Sequence, residues 1–269
     1  MIRKLTCVMI VMLFLQSSPA FAGTEGSEDL SKSGGNTADE CFEGFSRAMF
    51  KLNHGLDKAI FEPVAKGYRA LPSPVRKGTG NAVDNLRSLL TLSNHVLQGD
   101  FREAGITAGR FAVNTTVGIL GIFDPAAKIG LAEQGKEDFG QTLGRWGADS
   151  GCYFVLPILG PTTTRDAVGM VGNIFLDPVY QITHNTEIDN GVVGNGNYSE
   201  HNYYYYRSTG AVDFRAKNIE SFDSLEENSI DLYASLKSLY LQNRKQKISN
   251  SKSTIETQDD SDWEEIDTN

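Results

Sequence analysis

The chain has 269 residues, of which 25 are Lys or Arg and 34 Asp or Glu, for a formal net charge of −9. Seven of the acidic residues lie between Glu256 and Asn269 with no basic ones among them, while residues 23–255 carry 23 basic and 27 acidic groups, a net of −4. Nothing in so nearly balanced a body suggests an electrostatic nucleic-acid surface, and no nucleic-acid partner is expected.

Arg3 and Lys4, an apolar run from Leu5 to Leu15, and Ala20-Phe21-Ala22 before Gly23 have the layout of a cleavable secretory signal peptide over residues 1–22. The run is too short for a membrane anchor, which needs about 20 apolar residues. No later stretch approaches that length, because Gly, Pro or charged residues divide each one. Any contact with lipid must then use amphipathic helices or a short re-entrant arrangement. Residues 23–38 are nearly devoid of apolar side chains and read as a flexible leader; residues 39–248 form one folded domain; residues 249–269 read as an acidic disordered tail, Trp263 and Ile266 notwithstanding. Cys7 falls in the signal, which leaves Cys41 and Cys152 in a compartment that permits disulfides. The sequence leaves their pairing open, and neither has CxxC spacing or a nearby His.

The first predicted helix carries Phe45, Met49, Leu52, Leu56 and Ile60 on one face and is interrupted at Pro63. A turn over Leu71–Pro74 leads into a second helix toward Leu90, opened by Pro74 and striped by Ala82, Val83, Leu86 and Leu90. A third starts at a capping Asp100 and includes Phe111. Its small residues Gly105, Ala108, Gly109 and Ala112 admit either a lipid chain or a neighbouring helix. Gly118, Gly121, Asp124-Pro125, Gly130 and Gly135 then force repeated bends around the apolar cluster Ile119, Leu120, Ile122 and Phe123.

A short helix follows from Glu137 to Trp146, then a buried extended segment from Cys152 to Leu156, and a helix from the Thr162–Thr164 caps to Leu176, stopped by Asp177-Pro178. Asn185 to Asn202 reads as a loop. The run Tyr203–Tyr206 suits either a membrane interface or ordinary packing. Residues 211–248 contain neither Gly nor Pro and repeat apolar positions at steps of three and four, which predicts the strongest helix of the chain. Arg244, Lys245 and Lys247 near its end complement the helix dipole. The fold class is therefore all-α.

The chemistry of an enzyme is missing from the sequence. His54, His95, His184 and His201 stand singly without metal-ligand spacing, so no metal or other cofactor is expected. There is no GxSxG elbow and no GxxxxGK[ST] loop. The expected protein is not an enzyme.

The motif Glu137-Asp138-Phe139-Gly140-Gln141-Thr142-Leu143-Gly144-Arg145-Trp146-Gly147, followed by Tyr153, Leu156-Pro157, Gly160-Pro161 and Arg165-Asp166, closely resembles the MlaA/VacJ family of outer-membrane phospholipid-transport lipoproteins. The resemblance extends upstream through Phe42–Arg47, Leu97–Asp100 and Arg110-Phe111, and downstream through Val212-Asp213, Arg215, Asp231, Tyr233 and Arg244. It implies a ring-like amphipathic helical domain lying in one membrane leaflet, ending in a long helix. Through a channel in it, phospholipid misplaced in the outer leaflet passes toward the periplasm, which maintains lipid asymmetry. The implied partners are phospholipid, a trimeric outer-membrane porin and a soluble periplasmic lipid carrier of the MlaC type. The channel candidates are Phe45, Met49, Leu52, Leu56, Phe111, Ile119, Leu120, Ile122 and Phe123, for each of which core packing has the same periodicity. The alternative is a periplasmic porin-binding scaffold that carries no lipid.

Family members are usually lipoproteins, whereas here no cysteine directly follows the signal and Cys41 is preceded by Ala38-Asp39-Glu40, which is not a lipidation box. The expectation is a protein on the periplasmic face of the outer membrane, retained by its own apolar faces and a porin-like partner.

Overall fold

The computed structural model describes residues 40–184 and 200–249. The expected signal peptide, leader and acidic tail beyond Ser249 lie outside the described residues, as do residues 185–199 of the expected loop; residues 200–202 of that loop are helical.

Helix α1 spans Glu43–Leu56. Its polar side chains hold it to the hairpin of β1 (Tyr153–Leu156) and β2 (Gly160–Thr163). The Val155 amide donates to Ser46 Oγ at 3.3 Å, Asn53 Nδ2 donates to the Leu156 carbonyl at 2.8 Å, and the Ile158 amide donates to Asn53 Oδ1 at 2.7 Å. The strands are antiparallel, with Tyr153 opposite Thr163 and Leu156 opposite Gly160. Cys41 and Cys152 are joined by a disulfide, Cα atoms 5.5 Å apart.

Pro63 does not end the first helix. The chain passes through a π turn at Asp57–Phe61, in which the Glu62 amide bonds back to the Asp57 carbonyl, and continues as α2, Glu62–Arg69. A wider turn just before a proline makes room for a ring that would otherwise meet the carbonyl four residues back. Helix α3, Ser73–Gln98, has Pro74 in its first turn and closes on Gly99 at φ +79°. It runs well past Leu90. Helix α4, Phe101–Thr116, begins after Asp100, whose side chain does not cap it but accepts from Arg145 Nη2 at 3.3 Å.

The next helices begin where side chains satisfy free amides. Asp124 caps α5 (Pro125–Lys128), Asp138 caps α6 (Phe139–Arg145), and Thr163 caps α7 (Thr164–Leu176). Helix α8 is Pro178–His184 and α9 is Glu200–Lys217. The single helix predicted over 211–248 is divided. The run from 211 is the end of α9, α10 covers Ile219–Asn228, and α11 covers Leu232–Ile248. The breaks fall at Asn218 and at Ser229–Asp231, where Asp231 accepts the Ala234 amide at 3.1 Å and Arg47 at 2.9 Å. Short polar side chains that bond to nearby backbone end a helix without Gly or Pro.

Two small apolar clusters sit inside, Tyr153 with Val155 and Tyr233, and Ala65 with Ala216 and Ile219. Among the described residues, eighteen buried side chains are polar or charged and nine are apolar, while thirty large apolar side chains are exposed. That distribution is inverted relative to a domain surrounded by water, where exposed apolar patches are small and buried polar groups few.

Candidate functional site

The inverted interior is organised as hydrogen-bonded polar groups supplied by helix faces. On α3, Asn94 is fully buried and its Oδ1 accepts from Thr142 Oγ1 at 2.7 Å. Gln98 Nε2 donates to Thr142 Oγ1 at 3.1 Å and to Glu137 Oε2 at 3.0 Å. Burial pushes the Glu137 carboxyl up to about 7, against the Gln98 hydrogen bond. Arg244 on α11 bonds to both Asp138 and Asp166, and Tyr240 donates to Asp166 Oδ2 at 2.6 Å. Gly140 and Gly169 let α6 and α7 cross in near backbone contact: a Cβ on Gly169 would stand 2.4 Å from the Gly140 nitrogen.

A polar cavity of about 70 Å³ opens between α3, α4 and the segment that follows. Asn81, Asp84 and Asn85 of α3, Arg110 and Asn114 of α4, and Lys136 supply its lining. Two ion pairs close part of it: Arg110 Nη2 bonds Asp124 at 2.8 Å and Lys136 Nζ bonds Asp84 at 2.6 Å. Asn114 Nδ2 also donates to Asp124, whose carboxyl is pushed up by burial but held below the usual range by Arg110, Asn114 and the Ala127 amide.

At one edge of this cavity lies a strained turn. Ile119 and Leu120 have φ of +54° and +57°, followed by Gly121 at +88°. The left-handed region is unusual for Leu and an outlier for β-branched Ile. The turn is held by backbone bonds from Leu120 to Thr115, Gly121 to Asn114 and Phe123 to Gly118, and by Asn81 Nδ2 donating to the Ile122 carbonyl at 3.1 Å. Ile119 and Leu120 are 59% and 70% exposed. On the other side of α3 is an apolar groove of about 490 Å³, with Val83 and Leu86 of α3, Ile122, and Tyr206 of α9 among its walls.

The nine predicted site residues occupy three places. Phe45, Met49, Leu52 and Leu56 lie on α1, with Phe45 and Leu52 exposed and Met49 packed against the Tyr153 cluster. Phe111 is half-buried on α4. Ile119, Leu120, Ile122 and Phe123 come together in the strained turn, and of the nine only Ile122 lines the groove; none lines the polar cavity. The polar lining is not reported by apolar periodicity. Its signal was Asn81, Asp84, Asn85, Ser88 and Thr91, a polar stripe with helical spacing inside α3. Arg244, read as a dipole-complementing charge, is instead the partner of two carboxylates. The tyrosine run divides, Tyr204 and Tyr205 being exposed while Tyr203 packs edge-on to Tyr180 at 5.1 Å.

Comparison with known proteins places these features in a family. An Intermembrane phospholipid transport system lipoprotein MlaA from Haemophilus influenzae is 30% identical over 246 residues, 90% of this chain and 91% of that protein. An uncharacterized Rickettsia felis protein is 33% identical over 73% of each chain, and one from Rickettsia prowazekii is 38% identical over 54% of this chain and 58% of its own length. A solved structure described as the structural basis for maintenance of bacterial outer membrane lipid asymmetry superposes with a TM-score of 0.66, at 28% identity, over 78% of this chain and 99% of that one. The sequence profile of the MlaA lipoproteins matches residues 38–247, so this chain belongs to the MlaA lipoprotein family.

Proposed function

We propose that this chain is the outer-membrane component of a phospholipid transport system, acting at the periplasmic face to remove phospholipid from the outer leaflet and so maintain lipid asymmetry. The observation that carries the reading is the inverted side-chain distribution, with apolar groups outside and a charged, hydrogen-bonded cavity within. An apolar exterior suits immersion in one leaflet, since no described helix is long and apolar enough to cross a membrane. The names of the relatives agree with this substrate.

In this reading the domain is ring-like and the polar cavity belongs to an amphipathic channel. The headgroup meets the cavity's polar atoms while Ile119, Leu120, Ile122 and Phe123 gate the passage. Phe45, Met49, Leu52, Leu56 and Phe111 contact lipid or neighbouring helices. No covalent step is needed, and net direction comes from partners: a trimeric porin that seats the protein and a soluble periplasmic carrier of the MlaC type that takes the lipid. The test is the phospholipid exposed at the cell surface in a strain lacking the protein, with and without complementation. A rise reversed by complementation is the expected result, and no rise overturns the assignment.

A second reading, a porin-binding scaffold that carries no lipid, is favoured by Val168, Val171 and Phe175, an exposed apolar stripe on α7 suited to a partner surface. A scaffold tolerates changes of bulk at Leu120 and Phe123, whereas a conduit loses transport.

A further inference from the structure

The groove between α3 and α9 has features that fit a particular occupant. Gly78 and Ala82 lie in it beside Val83 and Leu86, with Ile122 and Tyr206 completing the walls. The close approaches are set by glycine: a Cβ on Gly78 would stand 3.0 Å from Ile122 Cγ2, and one on Gly210 of α9 would stand 3.0 Å from Val83 Cγ1. Its walls are mostly helical, so their backbone groups are already bonded along the helices. A peptide strand laid there would leave its own amides and carbonyls without partners, a cost that hydrocarbon does not carry.

Charge adjoins the groove across one ridge of α3. Leu86 is in the groove, and its neighbour Arg87 lines the polar cavity. Among the described residues, Arg87 makes no hydrogen bond or ion pair, unlike Arg110 and Lys136 in the same lining. Its charge is felt in the groove: burial pushes the Tyr206 phenol up to about 12, with Arg207 and Arg87 opposing. Ile122 links the two compartments, its side chain in the groove and its carbonyl held by Asn81 of the cavity.

We propose that the groove between α3 and α9 binds one acyl chain of a glycerophospholipid whose phosphate is held by Arg87 on the adjoining face of α3. The inference rests on the phospholipid reading above and adds a resting site, with the tail beside the gate and the phosphate at the cavity. An unpaired guanidinium supplies the forked donors that a phosphate accepts.

The test uses the full chain in vesicles of phosphatidylethanolamine containing a small fraction with a diazirine on one acyl chain, followed by irradiation and mapping of the labelled peptides. Labelling of the peptides around Ala82–Leu86 and Tyr205–Tyr206 is expected. Ala82→Trp, which fills the groove, lowers that labelling about tenfold, the effect of forfeiting the burial of roughly two methylenes. Arg87→Gln lowers it for the phospholipid but not for a diazirine diacylglycerol, which has no phosphate. Label confined to other peptides, including the acidic C-terminal segment, overturns the site, as does equal labelling in Ala82→Trp. The wild-type map needs no variant to fold. A site overturned in this way leaves the surface-phospholipid result untouched, whereas a null result there removes the transport reading itself.

Discussion

Arg244 grips Asp138 with both ends of its guanidinium, at 2.5 and 3.0 Å, and shares one of those nitrogens with Asp166 at 2.7 Å. One side chain on the last helix thereby binds the residue that caps α6 and a residue in the first turn of α7. Tyr240, one turn earlier, adds a second bond to Asp166.

Replacing Arg244 with Ala leaves two carboxylates in a mostly dry site, and removing one partner of such a group costs about 3–5 kcal/mol. Arg244→Lys recovers only part, because an ammonium lacks the fork that bonds both oxygens of Asp138. Chemical denaturation of the two variants ranks them: parent, Lys, Ala. The same pair has a pH signature. Burial pushes the Asp138 carboxyl up, but Arg244 and the hydrogen bonds from Gln141 together outweigh it and hold the group at about 2 against an ordinary 3.8. Its contribution is complete above 3.8 and is lost as the pH falls through about 2.

Glu137 titrates in the opposite sense. Burial raises it from 4.5 to about 7, so the folded chain holds a proton that the unfolded chain has released, and stability declines as pH rises across that window. Glu137→Gln keeps an oxygen to accept from Gln98 and removes the charge. The variant is expected to gain on the parent in melting temperature between pH 4.5 and 7 and to keep that gain above it. A constant difference at all pH values contradicts this account.

The strained turn separates two glycine effects. At Gly121 a Cβ would stand 2.5 Å from Asn85 Cβ, at a φ of +88°, so Gly121→Ala is expected to destabilise by about 1–3 kcal/mol. At Ile119, by contrast, a left-handed β-branched residue costs roughly 1–2 kcal/mol, which glycine avoids, against a loss of roughly 0.5–1 kcal/mol from its freer unfolded chain. Ile119→Gly should therefore melt no lower than the parent. A clear drop means that the isoleucine side chain is packed rather than strained.

The disulfide joins positions 111 residues apart and holds the start of the described chain to β1. Beside it, Glu40 bonds Lys237 Nζ at 2.6 Å and accepts from the Tyr233 hydroxyl. Replacing both Cys41 and Cys152 with Ser is expected to lower stability by roughly 2–4 kcal/mol. A reductant should lower the melting temperature of the parent and leave the double variant unchanged.

The sequence by itself determined the all-α class, the helices α4, α6 and α7 nearly to their ends, the extended segment before Pro157, and the family, because these rest on local periodicity, caps and an ordered set of motifs. Tertiary structure decided which way each face turns. Periodicity places Phe45, Leu52 and Ile60 on one stripe of the first predicted helix, but these three are exposed, and Ser46 and Asn53, which flank the stripe, clamp the hairpin. A helical wheel reports that two faces differ, not which of them meets the neighbouring element. The same limit hid the pairing of Cys41 with Cys152, the Arg244 site and the polar cavity on α3, since each joins residues far apart in sequence. It also hid the division of 211–248, where Asp231 leaves the helical pattern because Arg47, 184 positions away, and the Ala234 amide both bond to its carboxylate.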